Sequence, residues 1–136
     1  MYDVKVQEYI REGGKNPYNE WFNSLKQEAA AKVAMAKYRL ETGNTSSIKW
    51  IGAIGEYRID WGPDYRIYLA QDGKNLIVLF GGGTKKTQNK DINIANQLHK
   101  EYKQRKRIAA KKAAEEPAKR ARNRSNSKSS SRRKRK

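Results

Sequence analysis

The sequence predicts an α+β chain in the order β-α-α-β-β-β-α, and three observations carry that expectation. Apolar residues recur with helical period between Tyr18 and Leu40. They alternate with period two between Tyr57 and Leu69, and helix formers dominate from about Gln88 onward. The 136 residues hold 31 Lys+Arg against 14 Asp+Glu, a formal charge of +17, with no cysteine. A disulfide framework and a thiolate zinc site are thereby excluded, and the single histidine, His99, cannot build a histidine-rich metal centre. No run of about 18 apolar residues is present to span a membrane. The start, MYDVKVQEYI, lacks the basic-then-apolar pattern of a secretory signal. The expectation is a cytoplasmic protein that meets a polyanion and uses neither metal nor cofactor.

Residues 2–10 alternate loosely, with Tyr2, Val4, Val6 and Ile10 among charges, and suit an opening strand that Gly13-Gly14 ends. Asn16-Pro17 then reads as an N-cap followed by proline at the first helical position. Tyr18, Trp21, Phe22 and Leu25 follow on one helix face and belong in a core. AAAKVAMAKYRLE gives a second helix over about 29–42, stopped by Gly43. Val33, Ala36 and Leu40 share its buried face, and the two helices should form an antiparallel hairpin.

The period then changes. Tyr57, Ile59 and Trp61 alternate with Glu56, Arg58 and Asp60; after Gly62-Pro63-Asp64, Tyr65, Ile67 and Leu69 alternate with Arg66, Tyr68 and Ala70. That is a β-hairpin whose apolar face packs on the helices and whose other face turns Glu56, Arg58, Asp60, Arg66 and Tyr68 outward. Asn75–Phe80 is apolar on both faces, as a central strand would be. A loop, Gly81 to Lys86, leads to a helix from about Gln88 that buries Ala95, Leu98 and Tyr102 and leaves His99 on its surface.

Charge divides the chain. Residues 1–106 form the expected globular domain, and residues 107–136 a basic, largely disordered tail. The Ala-, Lys- and Arg-rich start of the tail extends the last helix until Pro117 stops it. Its charge attracts nucleic acid without reading sequence.

Function is expected on the polar hairpin face. Arg58 and Arg66 are planar multi-donor groups suited to phosphate oxygens, and the Gly81-Gly82-Gly83-Thr84 backbone could add amide donors near them. GGGTKKT lacks the Walker spacing, so it is no nucleoside triphosphate loop. Trp61, at a turn, either packs or stacks on a base.

NPYNEWFNSL and the run EYRIDWGPDYRIYLAQDGKNLIVLFGGGTKKTQNKDI resemble the RelE/ParE superfamily of toxins from type II toxin–antitoxin modules. Within it they are most similar to the phage-derived, HigB-like branch, the addiction-module killer proteins, over about residues 5–105. The resemblance implies a small curved antiparallel sheet with an N-terminal helical hairpin on one side and a C-terminal helix. It implies an mRNA endoribonuclease that inhibits translation, acting on the ribosome by metal-independent attack of the 2′-hydroxyl. A cognate antitoxin is the implied protein partner, with no membrane and no cofactor. The ParE line instead implies a noncatalytic inhibitor of DNA gyrase.

By position in that resemblance, Arg66 is the hairpin arginine, Arg58 a second basic residue, Lys85 the loop cation and Asp91 the C-terminal acid. These four are the catalytic candidates. Lys86 in the same loop, Tyr68, the Thr84 amide and Trp61 complete the expected RNA contacts. Asp60 stands where ribonuclease members often carry a basic residue. The proton-transfer roles stay open among Lys85, Glu56, Asp91 and Tyr68.

Overall fold

A computed structural model of the chain describes the backbone of residues 4–133 and the side chains of residues 4–115. The chain divides into two units, Met1–Lys100 and Glu101–Lys136. In the first, β1 (Lys5–Glu8) leads to α1 (Pro17–Asn23) and α2 (Gln27–Glu41). Then come β2 (Lys49–Ile51), β3 (Ile54–Ile59), β4 (Tyr65–Asp72) and β5 (Leu76–Gly83). A single 3-10 turn, Lys85–Thr87, opens into α3 (Gln88–Arg133).

The expected helices form for the expected reasons. Asn16 Oδ1 accepts the Asn19 amide at 2.9 Å and Pro17 occupies the first turn. Asn16 also donates through Nδ2 to Glu8 at 2.9 Å, and Lys37 donates to the other Glu8 oxygen at 2.8 Å. One carboxylate on β1 therefore fixes the start of α1 and the middle of α2. Tyr18, Val33, Ala36 and Leu40 are buried against Ile67, Leu69, Ile77 and Leu79 of the sheet. Trp21, Phe22 and Leu25 cover the margin of this core.

The sheet has five strands in the order β1-β5-β4-β3-β2, and it is mixed rather than wholly antiparallel. β1 pairs in parallel with β5, from Lys5 opposite Leu76 to Glu8 opposite Leu79. The cause is connectivity: the helical hairpin carries the chain from one edge of the sheet to the other. The hairpins β2–β3, β3–β4 and β4–β5 then return it to run beside β1 in the same direction. The extra strand, β2, is only three residues long and exposes Trp50, too short for alternation to announce it.

The second face of the sheet is also covered, which corrects the expectation that it looks outward. Glu56 and Tyr68 are fully buried and Arg66 is 4% exposed; of that row only Arg58 and Asp60 remain exposed. A β-bulge between Tyr68 and Leu69 interrupts the ladder beside this row. Tyr68 pairs with Gly81 and Leu69 with Leu79, leaving Phe80 as the extra residue. Phe80 packs edge-on against Tyr9 and beside His99, each with ring centres 5.6 Å apart. His99 is thus half-buried rather than a surface residue, and Ala95 and Leu98 beside it are buried as expected. Tyr102, in the second unit, is half-buried.

The glycine run is strand, not loop. Gly81, Gly82 and Gly83 pair with Tyr68, Ile67 and Arg66, so their amides belong to the sheet. The glycines serve close packing instead. A methyl group on Gly82 would overlap the Trp21 indole, and one on Gly83 would overlap the Asp91 carboxylate.

In the second unit, α3 continues through Pro117 to Arg133, where the composition predicts a stop and then disorder. The tail's side chains beyond Glu115, and the terminal Lys-Arg-Lys altogether, lie outside the described residues. No helix among the described residues is long and apolar enough to cross a membrane.

Gly82→Ala is expected to destabilise the protein by about 1–3 kcal/mol, because the indole cannot yield without disturbing the core margin. Urea denaturation should register this as a lowered midpoint with unchanged slope. An unchanged midpoint would mean that Trp21 is not held against β5.

Candidate functional site

The pleat and register of β3 and β4 place Arg58 directly opposite Arg66, and Glu56 directly opposite Tyr68. Two like charges facing across a ladder repel. Glu56, on the same face as both, resolves the conflict. Its Oε1 accepts from Arg58 Nε at 3.0 Å. Its Oε2 lies 3.5 Å from Arg66 Nη1 and accepts from Gln88 Nε2 at 2.7 Å and from the Tyr68 hydroxyl at 3.3 Å. Burial alone would raise the Glu56 pKa. The hydrogen bonds from Arg58 and Gln88 and the two guanidinium charges outweigh it, so the carboxyl titrates below its ordinary 4.5.

Arg66 is the unusual group. It is 4% exposed, and its Nε and Nη1 have no hydrogen-bond partner among the described residues. Buried donors left unmatched are costly, on the order of 1–3 kcal/mol each. Beside it opens a pocket of about 460 Å³ lined by Arg58, Arg66, Lys85, Asp60, Asp64 and Gln88. Three cations and two carboxylates therefore share one opening, with Glu56 behind the arginines.

The structure gathers three of the four catalytic candidates, Arg58, Arg66 and Lys85, around this pocket. The fourth, Asp91, does not line the pocket, although its carboxylate lies against Gly83, the residue opposite Arg66. It accepts a hydrogen bond from Thr87 and sits in the first turn of α3, where the helix dipole favours a negative charge. The expected RNA contacts fare differently. Thr84 closes a capping box, its amide donating to Thr87 Oγ1 at 3.4 Å, so that donor is engaged. Lys86 is exposed but does not line the pocket.

Tyr68 lies beneath Glu56, and burial together with that carboxylate pushes its hydroxyl well above the usual phenol range. It remains protonated at neutral pH and is no base. Trp61 is on the other face of the sheet, stacked on Tyr65 at 6.2 Å with Lys32 Nζ 5.7 Å from its ring centre. Of its two readings, packing is the one the structure gives.

Sequence reasoning left Glu56 as one open proton-transfer candidate and passed over Gln88 and Asp64. The signal for Glu56 was present, since Glu56 and Arg58 are two apart on one strand and share a face. Its second arginine became visible only with the register. Gln88 has no such signal, because its role depends on where α3 starts over the sheet.

Glu56→Gln should cost roughly 3–5 kcal/mol near neutral pH, the range for breaking a buried charge pair while leaving one partner behind. Because the folded carboxyl titrates below 4.5, its contribution is fully present above that pH and is lost as pH falls through the lower folded value. The stability gap between wild type and variant, followed by denaturant titration, should therefore close on acidification. A gap independent of pH would mean that the carboxylate's charge is not what holds the arginines.

No protein-family model matches the chain. An uncharacterized protein of Haemophilus influenzae, strain Rd KW20, is 41% identical over 86 residues, covering 62% of this chain and 87% of that protein. The chain belongs to the same protein family as this Haemophilus influenzae protein.

Proposed function

We propose that the chain is the toxin of a type II toxin–antitoxin module, an endoribonuclease of RelE/ParE type that cleaves mRNA and inhibits translation. The observation that carries the reading is Arg66, buried with unmatched donors at the edge of a pocket that Arg58 and Lys85 also line. A phosphodiester offers acceptor oxygens only, which suits guanidinium donors that hold no hydrogen bond, Nη1 having only the 3.5 Å ion pair to Glu56. The helical hairpin on one face, the sheet behind it and the final helix support a RelE-like reading, from which the parallel pairing of β1 and the extra strand β2 depart.

In this reading the ribose 2′-oxygen attacks the adjacent phosphorus as a base takes its proton. The bond to the 5′-oxygen breaks as an acid protonates that oxygen. Products are a 2′,3′-cyclic phosphate and a 5′-hydroxyl, and no metal enters the step. Arg58 and Arg66 stabilise the charge that builds on the phosphorane oxygens. Of the proton carriers left open by the sequence, Lys85 lines the pocket, and Asp60 joins it there. Positioned groups of this kind each add about 10²–10⁴-fold, and the ribosome would hold the message in line for attack. A cognate antitoxin would restrain the toxin in the cytoplasm, and the basic tail would add affinity for nucleic acid without base preference.

One observation favours a second reading. Asp91 and Tyr68, two of the four open proton carriers, are engaged away from the pocket, which suits a noncatalytic inhibitor of gyrase.

Induced expression in bacteria with mapping of mRNA 5′ ends separates these readings. Wild type should arrest growth and create new ends inside coding regions. Arg66→Ala, folded by circular dichroism, should lose cleavage by on the order of 10²–10³-fold. Arrest with intact messages would move the assignment to gyrase, and full activity in the variant would remove Arg66 from the site.

A further inference from the structure

We propose that this pocket selects guanine: a nucleotide's phosphate meets Arg58, Arg66 and Lys85 while the guanine edge meets the Asp64 carboxylate, a proposal that rests on the RNA reading above. The starting point is how the charges are sorted. Arg58 and Arg66 both pair with Glu56. Among the described residues neither pairs with Asp60 or Asp64, although all four line the same opening. The rim carboxylates are therefore not there to neutralise the arginines.

A carboxylate and a phosphate are both acceptors when ionised, so they repel and cannot share a position. A ligand that puts phosphate at the arginines must bring hydrogen-bond donors to Asp64. Within an RNA strand the 3′- and 5′-oxygens are esterified, so no ribose diol is available. Among the bases, only guanine carries two adjacent donors on its pairing edge, N1–H and the N2 amino group. Adenine, cytosine and uracil each set a donor beside an acceptor there. Two parallel hydrogen bonds to one carboxylate are the match that acid groups make best.

The backbone supports a placed carboxylate. Asp64 has φ of 59°, the left-handed region that glycine fills without strain. Its amide donates to the Trp61 carbonyl at 3.2 Å, and the neighbouring Pro63 carbonyl accepts the Lys85 amide at 3.4 Å. The turn that carries Asp64 is thus tied to the segment that carries Lys85. At about 460 Å³ the pocket is large enough for one nucleotide. Arg58, Arg66 and Lys85, all lining the opening, mark its anion end independently of the aspartates, and Arg66 Nε holds no hydrogen bond.

The test is calorimetric titration of the full chain with the 3′-monophosphates of guanosine, adenosine, cytidine and uridine, none of which has a free vicinal diol. The tail's attraction is for charge, the same for all four, and cancels in their ratio. Guanosine 3′-phosphate should bind on the order of tenfold more tightly than the others. Asp64→Asn tolerates the same backbone conformation. It should erase that preference, weakening guanosine 3′-phosphate while tightening the other three through lost repulsion, and Arg66→Ala should weaken all four alike. Equal binding of the four, still weakened by Arg66→Ala, would overturn guanine selection and leave the phosphate site standing. Binding of none, or binding indifferent to Arg66→Ala, would overturn the selection and the RNA reading together.

Discussion

A single buried carboxylate organises the polar face of this sheet. The register that pairs β3 with β4 sets Arg58 across from Arg66, and nothing in the backbone relieves their repulsion. Glu56 accepts from Arg58, Gln88 and Tyr68 and lies against Arg66, so it satisfies two strands and the first turn of α3 at once. Buried ion pairs seldom add net stability, because desolvation opposes the Coulombic gain. What Glu56 contributes is arrangement: it holds two guanidinium groups side by side without consuming all their donors. Arg66 keeps unmatched nitrogens as a result.

The two faces of the sheet divide the work. The helical hairpin covers one face with an apolar core, and that core fixes the strands whose other edges carry the charges. Close packing reaches the pocket through glycine. Gly82 admits Trp21 on the helical side, and Gly83 admits Asp91 and Thr87 on the other, which sets where α3 begins. Gln88 reaches Glu56 from that start. The glycines therefore act on the site through packing rather than by presenting amides to a ligand.

Much of this was legible in the residues. The N-cap at Asn16, the buried face of α2 and the apolar face of the hairpin follow from spacing alone, because each rests on local periodicity. Alternation also places Arg58 and Arg66 on one face, and the family resemblance adds Lys85 from the segment after the last strand. What depended on distant contacts was hidden. The parallel pairing of β1 depends on where the helical hairpin delivers the chain, and the burial of Glu56 depends on the cross-strand and α3 partners, Arg58, Tyr68 and Gln88, that meet it. Asp91, placed in the site by the family resemblance, accepts from Thr87 and does not line the pocket, a contact that spacing does not announce. Trp61 was ambiguous in sequence because a turn leaves its direction open; stacking on Tyr65 resolves it.

The account stands on the pocket beside Arg66 being an anion site, the condition for every functional step proposed. Nitrogen-15 NMR of the full chain, titrated with inorganic phosphate, tests this residue by residue. The side-chain signals of Arg66, Arg58 and Gln88 should shift together and saturate, distinct from the graded, salt-like response of the tail. Shifts confined to the tail, with Arg66 unmoved, would contradict the account.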